Sequence, residues 1–179
     1  MTFFCPDYWF PRITAIPASF FAEKGIKLLL LDADNTLTTH NNPEPAPGVM
    51  DWLAEMKAAG LQLAILSNNN TRRIAPFAEK LGLSFAANGA KPLPFRAAAA
   101  CREYGVNRRE CALIGDQLFT DILCGNLLSG AVSVLVTPIK LESGPFFKLK
   151  RKLESPILRR CQRRPGVCVI GNEKGKEDF

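Results

Sequence analysis

Two aspartates separated by one residue, Asp32 and Asp34, directly follow an uninterrupted apolar run at residues 28–31. Because residues i and i+2 of an extended chain point to the same side, both carboxylates should leave the end of this strand in one direction. Two like charges this close repel each other, whereas a hard divalent cation with oxygen ligands, Mg²⁺ above all, would turn the repulsion into binding. Such a pair also occurs in turns and helix caps, so its meaning depends on what the fold places beside it.

A second pair of aspartates, Asp116 and Asp121, follows another apolar run at residues 111–114. Four of the seven aspartates in the chain therefore lie at the ends of two predicted strands. For Asp121 two interpretations stay open: a cap at the N-terminus of the next helix, or a second metal contact or orienting role. Together the two pairs predict a magnesium site.

Polar residues suited to phosphate follow at two more places along the chain. Ser67 and Asn68 come directly after the apolar run at residues 61–66 and open a helix, where backbone N–H groups attract anions. Lys91 precedes the third predicted helix. Taken alone, the first would be an ordinary helix cap and the second a surface lysine. Beside the aspartates, they indicate a seat for a phosphoryl group.

Short apolar runs alternate with helical patterns along most of the chain. Strands that are apolar on both faces and alternate with helices predict an α/β fold, a three-layer doubly wound parallel sheet. Chemistry in such sheets gathers at the carboxyl ends of the strands, where the polar residues above lie. The runs span residues 28–31, 61–66, 111–114 and 131–136, and the helical patterns span residues 49–59, 71–82 and 93–104.

In this order, these residues resemble the four motifs of the haloacid dehalogenase (HAD) superfamily of phosphatases. The closer similarity is to the subfamily IIIA, YqeG-like group, which lacks a lid domain and includes phosphatidylglycerophosphate phosphatases; it covers roughly residues 12–160. The motifs are DADNTL at residues 32–37, SNNN at 67–70, Lys91-Pro92 and GDQLFTD at 115–121, with Gly125-Asn126 and TPI at 137–139 as further matches.

The resemblance implies a two-step phosphoryl transfer. Asp32 would attack phosphorus and form an aspartyl phosphate, while Asp34 would protonate the leaving group and later activate water. Mg²⁺ would be held by the Asp32 carboxylate, the Asp34 backbone carbonyl and Asp116.

The same resemblance implies roles for the remaining polar residues. Ser67, Asn68 and Lys91 would bind the phosphoryl oxygens, and Asp121 would contact and orient the metal ligands. The single histidine, His40, follows the first motif among polar residues and prolines, which favours an exposed position over a role as ligand or base.

The spacing of the motifs leaves no room for a lid domain. Only 31 steps separate Thr36 from Ser67, and 24 separate Ser67 from Lys91, and a helix and a strand fill most of each interval. An open site suits a phosphate on something large, such as a membrane surface, a protein or a polynucleotide end.

The positive charge of the chain is concentrated in residues 140–164. Residues 1–139 carry 12 basic and 12 acidic side chains, whereas residues 140–164 carry 9 basic and 2 acidic ones. Phe146, Leu149 and Leu153 recur there at helical spacing, which is typical of an amphipathic element on an anionic lipid surface. The alternative is that the apolar face docks on the domain and the charges are only solvated, with Pro156 limiting the helix.

The leading hypothesis is a Mg²⁺-dependent phosphatase that acts on phosphatidylglycerophosphate, with peripheral contact to an anionic membrane through residues 140–164. One alternative is a phosphatase for proteins, nucleic-acid ends or soluble metabolites. Another is a noncatalytic binder of RNA or membrane, which would gain nothing from four clustered carboxylates. The acidic set therefore argues against the binder, and we expect no nucleic acid as a binding partner.

We expect one domain over residues 1–179, with an aromatic and proline-rich lead-in at 1–25. The lead-in would cover one side of the sheet or place its rings at a membrane interface. Six cysteines without a C-x-x-C pair and one histidine predict reduced thiols, no zinc site and a cytoplasmic location, extending to the inner face of the membrane. The uncharged stretch at 122–139 is interpreted as a helix, a turn and a strand, and not as a membrane span.

Overall fold

The computed structural model describes residues 3–40, 42–140, 145–162 and 168–169. Seven strands form one sheet in the order β4-β3-β2-β5-β6-β1-β7, and every neighbouring pair is parallel. The strands are β1 Tyr8–Phe10, β2 Leu28–Leu31, β3 Gln62–Leu66, β4 Ser84–Ala86, β5 Cys111–Gly115, β6 Val132–Val136 and β7 Cys168–Val169. The helices are α1 Ala18–Glu23, α2 Val49–Ala58, α3 Thr71–Leu81, α4 Phe95–Glu103, α5 Leu123–Leu127 and α6 Pro145–Gln162.

Helices cover both faces of the sheet, which confirms the predicted three-layer α/β class. Leu29 and Leu31 of β2 belong to an apolar cluster that includes residues of α1, α2 and α3. Leu28 and Leu30 point to the other face and join a second cluster with residues of α4 and α5. Both faces of β2 are buried, which explains its unbroken run of leucines.

Strand β2 is the point where the strand order reverses. The chain proceeds from β2 to β3 and β4 on one side, and to β5 and β6 on the other. Leu31 is paired with Ile65 of β3 and with Ile114 of β5, so the three strands end side by side. The crevice at such a reversal is the common ligand site of open α/β sheets.

The aromatic lead-in forms part of the sheet. Its strand β1 lies between β6 and β7, a position that its three residues did not reveal in the sequence. The rings of Trp9, Phe10, Phe20 and Phe21 are all buried, so they are not available to a membrane surface. The alternative of a membrane-interface role is wrong for these four rings.

The uncharged stretch at residues 122–139 forms α5, a turn and β6, as predicted. Within the described parts of the chain, no helix is long and apolar enough to cross a membrane.

Helix α6 continues past Pro156 to Gln162, so the prediction that this proline limits the helix is wrong. Beyond it, Ile157 and Leu158 pack against a buried cluster made of Trp9, Leu118, Ile122 and Leu135. These contacts offset the cost of a proline inside a helix, which is about 3 kcal/mol.

Cys5 and Cys161 form a disulfide, with their Cα atoms 5.4 Å apart and a sequence separation of 156. The prediction of reduced thiols is therefore wrong for this pair. The bond could not be predicted from the sequence, because only the fold brings the lead-in and α6 together. Cys101, Cys111 and Cys124 are free and buried.

Candidate active site

The site is built around Asp32, which continues directly from β2. Its backbone N–H donates to the Ile114 carbonyl at 2.9 Å, so the ladder between β2 and β5 fixes its position. The Nζ atom of Lys91 donates to Asp32 Oδ1 at 2.6 Å and to Asp121 Oδ1 at 2.6 Å. Lys91 and Asp121 are buried, and Asp32 is only 8% exposed. One ammonium group thus bridges the carboxylates that follow two neighbouring strands.

Three carboxylates converge here as a candidate metal centre. One oxygen each of Asp32, Asp116 and Asp121 lies within 4.8 Å of the others, and all three residues are buried. Buried carboxylate oxygens are the donors that Mg²⁺ prefers. The donor set therefore fits the magnesium site predicted from the sequence, with Asp121 inside the cluster.

Asp121 lies inside a short π-helical turn at Leu118–Ile122 and also belongs to the carboxylate cluster. Its Oδ2 accepts a hydrogen bond from the backbone N–H of Gln117, the residue before that turn, at 3.1 Å. Its Oδ1 binds Lys91. Gly115 makes room for this side chain, because a Cβ atom there would lie 2.3 Å from Asp121 Cγ.

Burial and charge act in opposite directions on this cluster. Burial raises the pKa of Asp32 to about 7, although the neighbouring Lys91 lowers it. Burial lowers the pKa of Lys91, but the carboxylates of Asp121 and Asp32 outweigh that effect and raise it above the ordinary value. Lys91 therefore stays protonated at neutral pH. A cation among the carboxylates would favour the ionised form of Asp32.

The Asp34 side chain contacts residues other than those of the carboxylate cluster. Its Oδ2 accepts from Asn69 Nδ2 at 2.6 Å, and its Oδ1 accepts from an Arg73 guanidinium nitrogen at 3.1 Å. His40 Nδ1 lies 3.5 Å from Asp34 Oδ2, with its side chain 44% exposed. His40 is therefore half-exposed, as the sequence indicated, yet close to the second aspartate of the motif.

Sequence reasoning missed Arg73 and Asn69. Arg73 lies in the first turn of α3, where its backbone N–H donates to the capping side chain of Asn70 at 3.0 Å. Its guanidinium also donates to the Asn42 carbonyl at 3.1 Å, which links α3 to the loop after β2. The sequence signal for both residues was their position shortly after Ser67. That position follows the carboxyl end of a strand, as the positions of the aspartates do.

The two residues expected to bind phosphate after β3 are placed differently. Ser67 is buried, and its Oγ accepts from the Asn69 backbone N–H at 3.2 Å. Asn68 binds the backbone of Lys91 twice, accepting from its N–H at 2.8 Å and donating to its carbonyl at 2.9 Å. In the structure the Asn68 side chain thus positions Lys91, a contact distinct from the predicted one to phosphate.

No extra domain covers the site within the described residues. The interval between β2 and β3 holds an irregular loop and α2, and the interval between β3 and Lys91 holds α3 and β4. The site thus lies at the carboxyl edge of the sheet.

A buried aspartate lies at the reversal point of a parallel sheet, bound to a protonated lysine and flanked by further carboxylates, and this arrangement defines a candidate hydrolase site. A family model described as haloacid dehalogenase-like hydrolase matches residues 39–126. The chain is also 35% identical over 162 residues to the "Probable phosphatase YqeG" of Bacillus subtilis (strain 168), covering 90% of this chain and 94% of the relative. The chain therefore belongs to the haloacid dehalogenase-like hydrolases, and it is an enzyme of the phosphatase type.

A more distant similarity links it to "Phosphatidylglycerophosphate phosphatase 1, chloroplastic/mitochondrial" of Arabidopsis thaliana. The two are 27% identical over 152 residues, which is 79% of this chain but 43% of the plant protein. Among solved structures, a putative HAD family hydrolase from Streptomyces avermitilis aligns with a TM-score of 0.52 at 20% identity, over 63% of this chain and 76% of that one. A putative HAD-like phosphatase from Mesorhizobium loti aligns with a TM-score of 0.52 at 17% identity, over 67% and 76%. These two likenesses concern the fold.

Proposed function

We propose that the protein is a Mg²⁺-dependent phosphomonoesterase that works through an aspartyl phosphate on Asp32. The observation that carries the proposal is the pair of 2.6 Å contacts from Lys91 to Asp32 and Asp121, within a cluster of three carboxylates at the reversal point of the sheet. This arrangement holds a nucleophile, a fixed positive charge and a set of metal donors within a few ångströms of one another.

In the first step, an Asp32 carboxylate oxygen bonds to phosphorus, and the bond from phosphorus to the ester oxygen breaks. Lys91, fixed by Asn68 and held protonated, binds the oxygens of the transferring group. Asp34 gives a proton to the departing alkoxide. Asn69 and Arg73 orient the Asp34 carboxylate for that transfer through the hydrogen bonds described above.

In the second step, Asp34 accepts a proton from a water molecule, whose oxygen bonds to phosphorus and releases Asp32 and inorganic phosphate. The same carboxylate serves in both steps, first as an acid and then as a base. Its position outside the metal cluster suits this task, because its oxygens are not committed to the metal.

Asp32, Asp116 and the backbone carbonyl of Asp34 would hold the Mg²⁺ ion, with Asp121 beside them. When bound, the ion supplies positive charge that neutralises the carboxylates and the phosphoryl oxygens. Ser67, buried at the end of β3, would contribute its hydroxyl to the phosphoryl group.

For the substrate we propose phosphatidylglycerophosphate, a phosphomonoester on an anionic lipid. Two observations support it: the similarity to the plant enzyme of that name, and a site without a lid in the described residues. The proposed location is the inner face of the membrane. The Cys5–Cys161 disulfide removes reduced thiols as support for a cytoplasmic location.

Helix α6 would add electrostatic attraction to that surface. Its second half docks on the domain through Ile157 and Leu158. Lys152, Leu153 and Arg160 remain exposed, which leaves basic charge on the outside of the helix. Leu153 belongs to the face proposed for lipid; the side chains of Phe146 and Leu149 lie outside the described part.

The test is release of inorganic phosphate, with and without Mg²⁺, from four substrates: phosphatidylglycerophosphate in micelles, a phosphopeptide, a 3′-phosphorylated oligonucleotide and sugar phosphates. We expect Mg²⁺-dependent release that is fastest from the lipid. Equal or faster turnover of the soluble esters would refute the lipid substrate. Release that survives Asp32→Asn would refute the mechanism.

A further inference from the structure

Two large apolar side chains, one on the loop that carries Lys91 and one at the start of α4, are exposed shortly after Lys91. Lys91 points inward and is 6% exposed, whereas Leu93 is 49% and Phe95 71% exposed. The backbone N–H of Leu93 donates to the Ala90 carbonyl at 2.8 Å, so a tight turn sets these opposite directions. Large apolar side chains exposed close together mark binding surfaces more often than scattered ones do.

A third exposed apolar side chain flanks the first motif. The backbone N–H of Ile139 donates to the Asn35 carbonyl at 3.1 Å, and Asn35 follows Asp34 directly. The Ile139 side chain is 41% exposed. We call Leu93, Phe95 and Ile139 the catalytic rim. Leu93 and Ile139 lie in loops that also position the active site, and Phe95 begins α4 directly after the Lys91 loop.

Basic side chains accompany the catalytic rim. Arg96 follows Phe95, Lys140 follows Ile139, and Arg72 lies in the first turn of α3, which begins at the same edge of the sheet. All three are exposed. Asp51, in the first turn of α2, is an exposed acid at this edge, so the charge there is mainly but not wholly positive.

We propose that the catalytic rim and its basic neighbours form the surface by which the enzyme docks on an anionic phospholipid bilayer. This inference rests on the proposed function and adds the way in which the site meets its substrate. The apolar side chains enter the interface, and Arg72, Arg96 and Lys140 contact the anionic head groups.

The depth of the site explains why contact must occur at the rim itself. Asp32 and Lys91 are buried, so the terminal phosphate must leave the bilayer surface to reach them. In phosphatidylglycerophosphate a single glycerol unit separates that phosphate from the phosphodiester, which stays at the surface. The loops around the site must therefore touch the head-group layer during catalysis.

A comparison of variants tests this surface with and without catalysis. Leu93→Ser combined with Phe95→Ser removes the apolar contact, and Leu127→Ser is the matched control. Leu127 is 40% exposed at the end of α5, just before β6 begins, and so lies at the opposite edge of the sheet. The first readout is co-sedimentation with vesicles of phosphatidylglycerol and phosphatidylcholine that contain no substrate. The second is phosphate release from phosphatidylglycerophosphate in those vesicles and from a short-chain monomeric analogue.

We expect the double variant to lose vesicle binding and vesicle-dependent kcat/KM about tenfold or more, because burial of two large apolar side chains is lost. Its turnover of the monomeric analogue should stay within about twofold of wild type. For Leu127→Ser, both vesicle binding and phosphate release should stay within about twofold of wild type. Unchanged vesicle binding in the double variant, or an equal loss on vesicles and monomers, would overturn the docking surface. If wild type hydrolyses neither form yet binds vesicles through the rim, the proposed substrate is wrong and the docking surface stands.

Discussion

At the scale of single residues, two aspartates of one motif have separate surroundings. Asp32 is bound by Lys91 at 2.6 Å inside the carboxylate cluster, whereas Asp34 is bound by Asn69 at 2.6 Å and Arg73 at 3.1 Å. A nucleophile needs its negative charge, and an acid must gain and give up a proton. The different partners are consistent with the two tasks that we propose for the two carboxylates.

Arg73 is predicted to matter most for substrates that need a proton on the leaving group. Arg73→Ala should lower kcat/KM for an alkyl phosphate about tenfold, because a misplaced Asp34 transfers the proton to the leaving group less well. The kcat/KM with p-nitrophenyl phosphate, whose leaving group needs no proton, should change less than about threefold, because kcat/KM does not include the later attack of water. Steady-state kinetics with both esters measures the difference.

Arg72→Ala is the matched control, since Arg72 is the exposed neighbour of Arg73 in α3. It should leave both soluble esters unaffected. An equal loss on the two esters in Arg73→Ala would mean that Arg73 acts only on structure.

The carboxylate cluster predicts a stabilising effect of Mg²⁺ that requires no catalysis. At a concentration about 100 times its Kd, the ion should add about 2.7 kcal/mol, or about 5–10 °C in Tm. Asp116→Asn should abolish most of that shift, whereas Asp51→Asn, on an exposed carboxylate of α2, should preserve it. Differential scanning fluorimetry measures the Tm of both variants with and without Mg²⁺. An undiminished Tm shift in Asp116→Asn would contradict the metal site.

The aspartates and Lys91 could be predicted because each directly follows an apolar run or precedes a helical pattern. The contacts of Asp34 could not be predicted in the same way. Arg73 reaches Asp34 only because α3 begins at the same edge of the sheet and the loop after β2 bends back toward it. Such a contact depends on loop geometry, which spacing along the chain does not specify.

At the scale of elements, the long buried strands were predictable and the short ones were not. Strand β2 consists of four leucines and is buried on both faces, whereas β4 has three residues, two of them exposed. Neither β1 nor β4 is long enough to show a period. Helix α6 was predicted to end near Pro156, and it continues because contacts beyond the proline hold it.

Helix α6 is predicted to support the turn that carries Asp121. The buried side chain of Glu154 accepts from the Leu118 backbone N–H at 3.2 Å. Glu154→Leu leaves that N–H without this acceptor and should lower the free energy of unfolding by about 1–3 kcal/mol. Urea denaturation measures the change.

Glu154→Gln keeps an oxygen that can accept the same hydrogen bond. Its free energy of unfolding should therefore fall by less than half as much as that of Glu154→Leu. Equal stability of wild type and Glu154→Leu would show that α6 does not hold the turn.

At the scale of the whole molecule, a disulfide links two segments that lie far apart along the described chain. The disulfide between Cys5 and Cys161 joins the segment before β1 to the end of α6. A cross-link over so long a loop restricts the unfolded chain, and disulfides typically contribute about 2–4 kcal/mol. The bond therefore fixes α6 on the sheet beside the turn of Asp121.

Reduction with dithiothreitol should lower the free energy of unfolding by about 2–4 kcal/mol. The same reagent should have no effect on Cys5→Ser, in which the bond cannot form. Urea denaturation of both proteins, with and without the reductant, makes the comparison. Identical curves for wild type in the two conditions would mean that the bond does not contribute to stability.

The central claim is that phosphate passes through a covalent bond to Asp32, and trapping that bond tests it most directly. Asp34→Asn should still be phosphorylated by ³²P-labelled p-nitrophenyl phosphate, whose leaving group needs no proton, but it should hydrolyse the phosphoenzyme slowly. After an acid quench, we predict a hydroxylamine-sensitive label on the peptide that contains Asp32, formed only with Mg²⁺ and absent from Asp32→Asn. Label on another residue, or Mg²⁺-dependent turnover by wild type with no label in the trapped variant, would contradict the account.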